Sequence, residues 1–296
     1  MSSSSITARV RPPASPARER PVPVSSRFQA VGDGWTVARR NLIKIKRVPD
    51  LLVGSIVSPI MFILLFAYVF GGSIALPGQE QVDPAAYREF LIAGIFAQTV
   101  IFGATITGSG MAQDLKTGII DRFRSLPMAP SAVLVGRTTA DVVNNVLTII
   151  IMSLTGLVVG WRIDSSVGEA LLAYVLLLFF AYTLSWIMAF VGLLVRTPEV
   201  FNNISFIVIF PLTFIANTFV PSQNLPTPLR IFADWNPVSS VTQAARELFG
   251  NIPEGTPEPT AWPLENPVFY TLAWGAVILL VFIPLTVRQY QRAAAR

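Results

Sequence analysis

Residues 170–195 read ALLAYVLLLFFAYTLSWIMAFVGLLV, without one charged side chain. At 1.5 Å per residue, a helix of this length covers more than the roughly 30 Å of hydrocarbon in a bilayer. Inside lipid the backbone must satisfy its own hydrogen bonds, so the stretch is read as a helix. Its apolarity is continuous rather than alternating, which argues against a barrel strand. Five more blocks have the same character: 51–71, 90–112, 142–160, 200–220 and 267–287. The third extends back to residue 133, taking in Arg137 and Asp141 at its cytoplasmic end. The fold class expected is all-α integral membrane, with six transmembrane helices at about 51–71, 90–112, 133–160, 170–195, 200–220 and 267–287.

Composition points the same way. The chain is 52% hydrophobic and 13% charged, with a mean hydropathy of +0.58, whereas soluble domains carry about 25% charged residues. It has no Cys and no His. That excludes Cys- or His-based nucleophile pairs, and thiolate or imidazole metal sites. Lysines follow only Ile43, Ile45 and Leu115, so there is no phosphate-binding loop of the Gly-Lys type. Asp141 stands alone, without the second carboxylate an intramembrane hydrolase would need. The chain is therefore expected to be no enzyme, and to bind no cofactor or metal itself.

Of the 22 basic residues, 18 fall before span 1, between spans 2 and 3, between spans 4 and 5, or after span 6. Arg88, Arg162, Arg230 and Arg246 are on the other side. By the positive-inside rule both termini are cytoplasmic. The basic balance thus reads as topology, and no nucleic-acid partner is expected. Residues 1–30 are rich in Ser, Pro and Arg and lack the apolar core of a cleavable signal. They read as a disordered cytoplasmic tail. Arg outnumbers Lys nineteen to three, a bias of GC-rich bacterial genomes, and the expected location is a bacterial inner membrane.

Within 31–49, Trp35, Ala38, Leu42 and Ile45 share one helical stripe, while Arg39, Arg40, Lys44, Lys46 and Arg47 fill much of the rest. Such a helix lies along a lipid surface, held by apolar burial and anionic headgroups. After span 2, Leu115, Ile119, Phe123 and Leu126 recur at helical spacing among Asp121, Arg122 and Arg124, until Pro127 stops them. This predicts a short cytoplasmic helix, about 114–127, whose apolar side chains need a partner surface or the protein's own helix ends. Outside, Leu225, Leu229, Phe232 and Trp235 form one stripe, and Val238, Val241, Ala245 and Leu248 another, with Gly250 as a C-cap. These pieces either dip into the outer leaflet or cap the bundle.

Polar residues inside spans are functional candidates or helix–helix glue. Arg137 and Asp141 have the spacing to pair along one face, with Asn144 and Asn145 a turn deeper. Gln98, Thr99, Thr105 and Thr107 decorate span 2. Asn202, Asn203 and Asn217 accompany Phe206, Phe210 and Phe214 in span 5, where Pro211 is expected to bend the helix.

Four stretches together resemble the membrane subunit of type-2 ABC exporters, the daunorubicin-resistance permeases above all. They are LIKIKRVPDLL (42–52), KTGIIDRFRSLPMAPSAVLVGR (116–137), LLVRTPEVFNNISFIVIFPLTFIANTFV (193–220) and NPVSSVTQAARELF (236–249). The likeness runs from about Val31 to the end. It implies a homodimer bound to two copies of a separate ATPase subunit, which carries the ATP-Mg. It also implies that the helix at 114–127 is a coupling helix centred on Asp121–Leu126. The basic helix becomes an interface helix, and the pieces near 225–250 become re-entrant outer helices. The expected cargo is drug-like, amphipathic or lipid-like. Its path is expected at the dimer seam beside Gln98, Thr105, Asn202, Phe206, Phe210 and Asn217. A self-sufficient secondary carrier is the alternative, and it would need a titratable intramembrane residue and usually a paired repeat.

Overall fold

The computed structural model describes residues 57, 59–70, 76, 83–119, 130–252 and 255–293. The tail at 1–30 and the basic helix with Trp35, Arg39, Arg40, Lys44, Lys46 and Arg47 lie outside the described residues. So do Asp121, Arg122, Phe123, Arg124 and Leu126.

Among the described residues the regular structure is helical, with no strand. The helices are α1 (Pro59–Val69), α2 (Pro84–Lys116), α3 (Pro130–Val159), α4 (Val167–Leu194), α5 (Pro198–Phe214), α6 (Thr227–Trp235), α7 (Pro237–Phe249), the single turn α8 (Trp262–Glu265) and α9 (Pro267–Ala293). Starts follow local chemistry. Asp83 caps α2 by accepting from Ala85 N at 2.8 Å, ahead of Pro84. Ser166 and Glu169 form a reciprocal capping box on α4. Asn236 caps α7 by accepting from Val238 N at 2.9 Å, and Gly250 ends that helix at φ 74, a left-handed position suited to glycine.

Four helices, α2, α3, α4 and α9, are long and apolar enough to cross a membrane, whereas α1 and α5 are apolar but shorter. Six full-length spans are therefore not found among the described residues. The cause in α5 is visible. Helix was expected to Val220 but ends at Phe214. Pro211 has no N–H for the preceding turn. Ile215 N still reaches Pro211 O at 2.9 Å; beyond it the chain leaves the helix, and Leu212 O is taken by Asn236 Nδ2 at 2.7 Å. In α1 the winding changes to π at Leu65, and the π turn runs on to Phe70.

Helix α2 is the axis of the bundle. Its most apolar window is 78% buried, against 17% for α9. It packs on α4, α3, α5 and α7. Near its C-terminal end it crosses α4 so closely that a Cβ at Gly192 would collide with Gly108 O, the small-residue contact that lets membrane helices approach. Apolar side chains such as Leu280 on α9 are exposed, as lipid-facing residues are.

At that end Met111, Leu134, Trp186, Ala189, Leu193 and Tyr290 form a second core, with Leu115 packed against it. Leu115 thus belongs to the last turn of α2. The helix is capped by Thr117 and breaks at Gly118, φ 67; Ile119, helical and half-buried, follows the break. A separate helix beginning at 114 is not what forms, because α2 continues through Lys116 to fill this core.

The segment between α5 and α9 splits in two. On α7, Val238, Val241 and Ala245 are buried, so this helix caps the bundle. On α6, Leu229, Phe232 and Trp235 stay exposed.

Candidate functional site

A cavity of about 390 Å³ lies between α1, α2, α3 and α5. Its aromatic wall comes from α5, where Phe206, Phe210 and Phe214 recur every fourth residue and so stand in one row. Their ring centroids are 5.1 and 4.2 Å apart. The row continues through Phe219 at 5.1 Å to Phe66 at 4.5 Å. On the opposite face of α5, Phe201, Ser205, Ile209 and Thr213 are buried, which holds the phenylalanine row at the cavity.

The polar wall comes from α2 and α3. Gln98, Thr99 and Thr105 contribute from α2, and Asn144, Asn145 and Thr148 from α3. The hydroxyls are satisfied on their own helices: Thr105 donates to Phe102 O at 2.6 Å, and Thr148 to Asn144 O at 2.9 Å. Asn145 Oδ1, by contrast, is buried without a hydrogen-bond partner, and an unmet acceptor in an apolar setting favours a donor brought by a ligand. Apolar rings with a few placed amides suit an aromatic or amphipathic solute.

Four expected path residues meet here: Gln98, Thr105, Phe206 and Phe210. Asn202 does not; it is exposed near the start of α5. Asn217 lies beyond the end of α5, and lines a separate pocket beside α6 and α7. The α3 wall was missing from the expected path, although Asn144, Asn145 and Thr148 are its signal, three amide or hydroxyl side chains in an apolar span. Phe62 and Pro59 of α1 carry no such mark.

Below the cavity, α2 and α3 are joined by polar contacts. Arg137 pairs with Asp114 of α2, and Asp141 accepts a hydrogen bond from Thr107 of α2. The expected Arg137–Asp141 pair along α3 is therefore replaced by two contacts between helices. The reason is burial: Asp141 is 8% exposed, and each group finds its partner on the helix that covers it. A Cβ at Gly110 would run into the Arg137 guanidinium, so the close fit depends on that glycine. Lys116 and Glu199, 3.4 Å apart and largely exposed, link the ends of α2 and α5.

Residues 33–249 match the ABC-2 type transporter family. The chain is 32% identical, over 94% of its length and 92% of the relative's, to the daunorubicin resistance ABC transporter permease protein DrrB1 of Streptomyces coeruleorubidus. A putative transport permease, ycf38, of Porphyra purpurea is 22% identical over 87% of this chain and 84% of its own. The probable doxorubicin resistance ABC transporter permease protein DrrC of Mycobacterium tuberculosis is 23% identical over 82% of each.

Proposed function

Because this chain belongs to the ABC-2 type transporter family, and is a multi-pass membrane permease, we propose that it is the membrane half of an exporter for drug-like or amphipathic compounds, driven by a separate ATPase subunit. The observation that carries this reading is the cavity between α1, α2, α3 and α5, with its phenylalanine row and amide wall. The drug-resistance names of two similar permeases agree with such a lining.

In this reading two copies of the chain assemble with two ATPase subunits, and both termini face the cytoplasm of a bacterial cell. ATP-Mg is held by the partner, and this chain supplies no catalytic group. Ligand binding and ATP turnover bias two packings of the same helices. The segment after the break at Gly118, with Asp121, Arg122, Phe123, Arg124 and Leu126, docks on the ATPase. The basic helix at 31–49 rests on the headgroups. Phe206 and Phe210 stack on the solute, while Gln98 and Asn145 orient it.

The test is co-purification of the ATPase subunit and solute-stimulated ATP hydrolysis, for wild type and for Phe123→Ala with Leu126→Ala. Burial of each side chain is worth about 1.5–3 kcal/mol, so the double variant should lose the partner while staying inserted and dimeric. Wild-type levels of both readouts would overturn the coupling assignment.

A further inference from the structure

The outer pocket that Asn217 lines, about 260 Å³ in volume, lies among α6, α7 and residues 256–261. Its polar groups form a chain. Asn217 Nδ2 donates to Gln243 Oε1 at 3.4 Å, and Gln243 Nε2 donates to Glu247 Oε1 at 3.1 Å. The chain spends one N–H of each amide and leaves an acceptor at either end. Asn217 is 7% exposed, and its Oδ1 has no hydrogen-bond partner, which costs free energy unless a donor arrives. Glu247 stands accessible at the other end of the chain.

The cations nearby are committed elsewhere. Arg230 lies 3.6 Å from Asp234, which also accepts from Ser222 at 2.7 Å. Arg246 is held by Phe90 O and Thr218 O and does not line the pocket. Among the lining residues the carboxylates of Asp234, Glu247 and Glu258 face only the guanidinium of Arg230. Phe90, Leu76 and Leu264 supply apolar wall.

We propose that this outer pocket binds a small organic ammonium carrying a second hydrogen-bond donor: its cationic nitrogen sits on the Glu247 carboxylate, and its other donor reaches Asn217 Oδ1. A buried unmet acceptor and an excess of carboxylates together select for donors and positive charge, and the apolar wall selects for an organic body over a metal ion. The site is distinct from the cavity between α1, α2, α3 and α5. It stands apart from the export reading, since binding needs neither an ATPase nor transport.

The test uses the full chain in phosphatidylcholine nanodiscs at neutral pH. Two probes of one shape are compared by saturation-transfer NMR titration: phenylethanolamine, which is charged, and phenylethanediol, which is not. Wild type should bind the amine roughly tenfold more tightly than the diol. Glu247→Gln should erase the preference, and Asn217→Leu should weaken both probes. Glu265→Gln, which removes the same charge from the outer side away from the pocket, should leave the preference intact. Equal affinity of the two probes for wild type would overturn the proposal without any variant having to fold. Loss of the preference in Glu265→Gln to the same degree as in Glu247→Gln would reduce the effect to general surface attraction, and would overturn it as well.

Discussion

The cap around α7 and the cavity between α1, α2, α3 and α5 are built on opposite plans. In the cap, side chains hold backbone. Arg246, 1% exposed, donates to Phe90 O at 2.9 Å and Thr218 O at 3.1 Å. Trp161 Nε1 donates to Asn251 Oδ1 at 2.7 Å, and Asn251 Nδ2 to Arg162 O at 2.9 Å. Ser165 reaches Leu248 O at 2.6 Å, and Tyr87 reaches Phe219 O at 3.3 Å. These links join α2, α7, the turn after α3 and the chain beyond α5, with residues far apart in sequence. Around the cavity, rings touch rings. Bonds that fix one geometry belong to a frame, whereas exchangeable apolar contacts belong to a surface that accepts different occupants.

The strongest way to break this contrast is Arg246→Met. It keeps the bulk but leaves two buried carbonyls without their charged donor, at a cost of about 3 kcal/mol or more. We expect a large fall in folded yield and in the thermal midpoint in detergent. An unchanged midpoint would mean the cap is no frame. Trp161→Phe should cost about 1–2 kcal/mol, by orphaning Asn251 Oδ1, seen as a lower denaturation midpoint. At the cavity, Phe210→Ala should barely move that midpoint, because the ring is 40% exposed. It should instead weaken an aromatic ligand by roughly tenfold, as stacking and burial are lost together. Equal losses of stability at both regions would erase the distinction.

The smallest effect expected is on pH. Burial raises the Glu247 carboxyl above its ordinary value, against the Gln243 hydrogen bond. Its anionic form holds the ammonium, so binding of phenylethanolamine should be complete at neutral pH and fall as pH drops through that raised value. Glu247→Gln should flatten the profile. Asp234, Arg230 and Glu258 face the same pocket, and a profile unchanged in Glu247→Gln would take the pH dependence away from Glu247.

Much of the frame was legible because membrane physics writes it in bulk. Charge-free blocks marked α2, α3, α4 and α9, and the stripes at 225–250 marked α6 and α7. Less legible was where a block stops being helix. Residues 200–220 are apolar throughout, yet α5 passes through Pro211 and ends at Phe214, where Asn236 takes up Leu212 O. The site was half legible for a related reason. Phe206 and Phe210 follow from helical spacing, but the use of Asn144 and Asn145 depends on how α3 is rotated against α2. Arg137 and Asp141 show the same limit, since spacing within one helix says nothing of Asp114 and Thr107 on the next. Asn217 falls within the apolar block of span 5, but lies past the end of α5 and lines another pocket.

Helix α2 has 33 residues, which at 1.5 Å per residue makes a rod of about 50 Å, well beyond the hydrocarbon it crosses. Along it, in order, come Phe90 at the pocket beside α6 and α7, Gln98 to Ile106 at the cavity, and Leu115 just before the break at Gly118. The three stations share one stiff backbone. A shift of α2 along its axis by a single residue would therefore carry all three the same 1.5 Å at once. Such a rod works as a gauge: the pocket at one end, the cavity and the break at Gly118 cannot take up axial positions independently of one another.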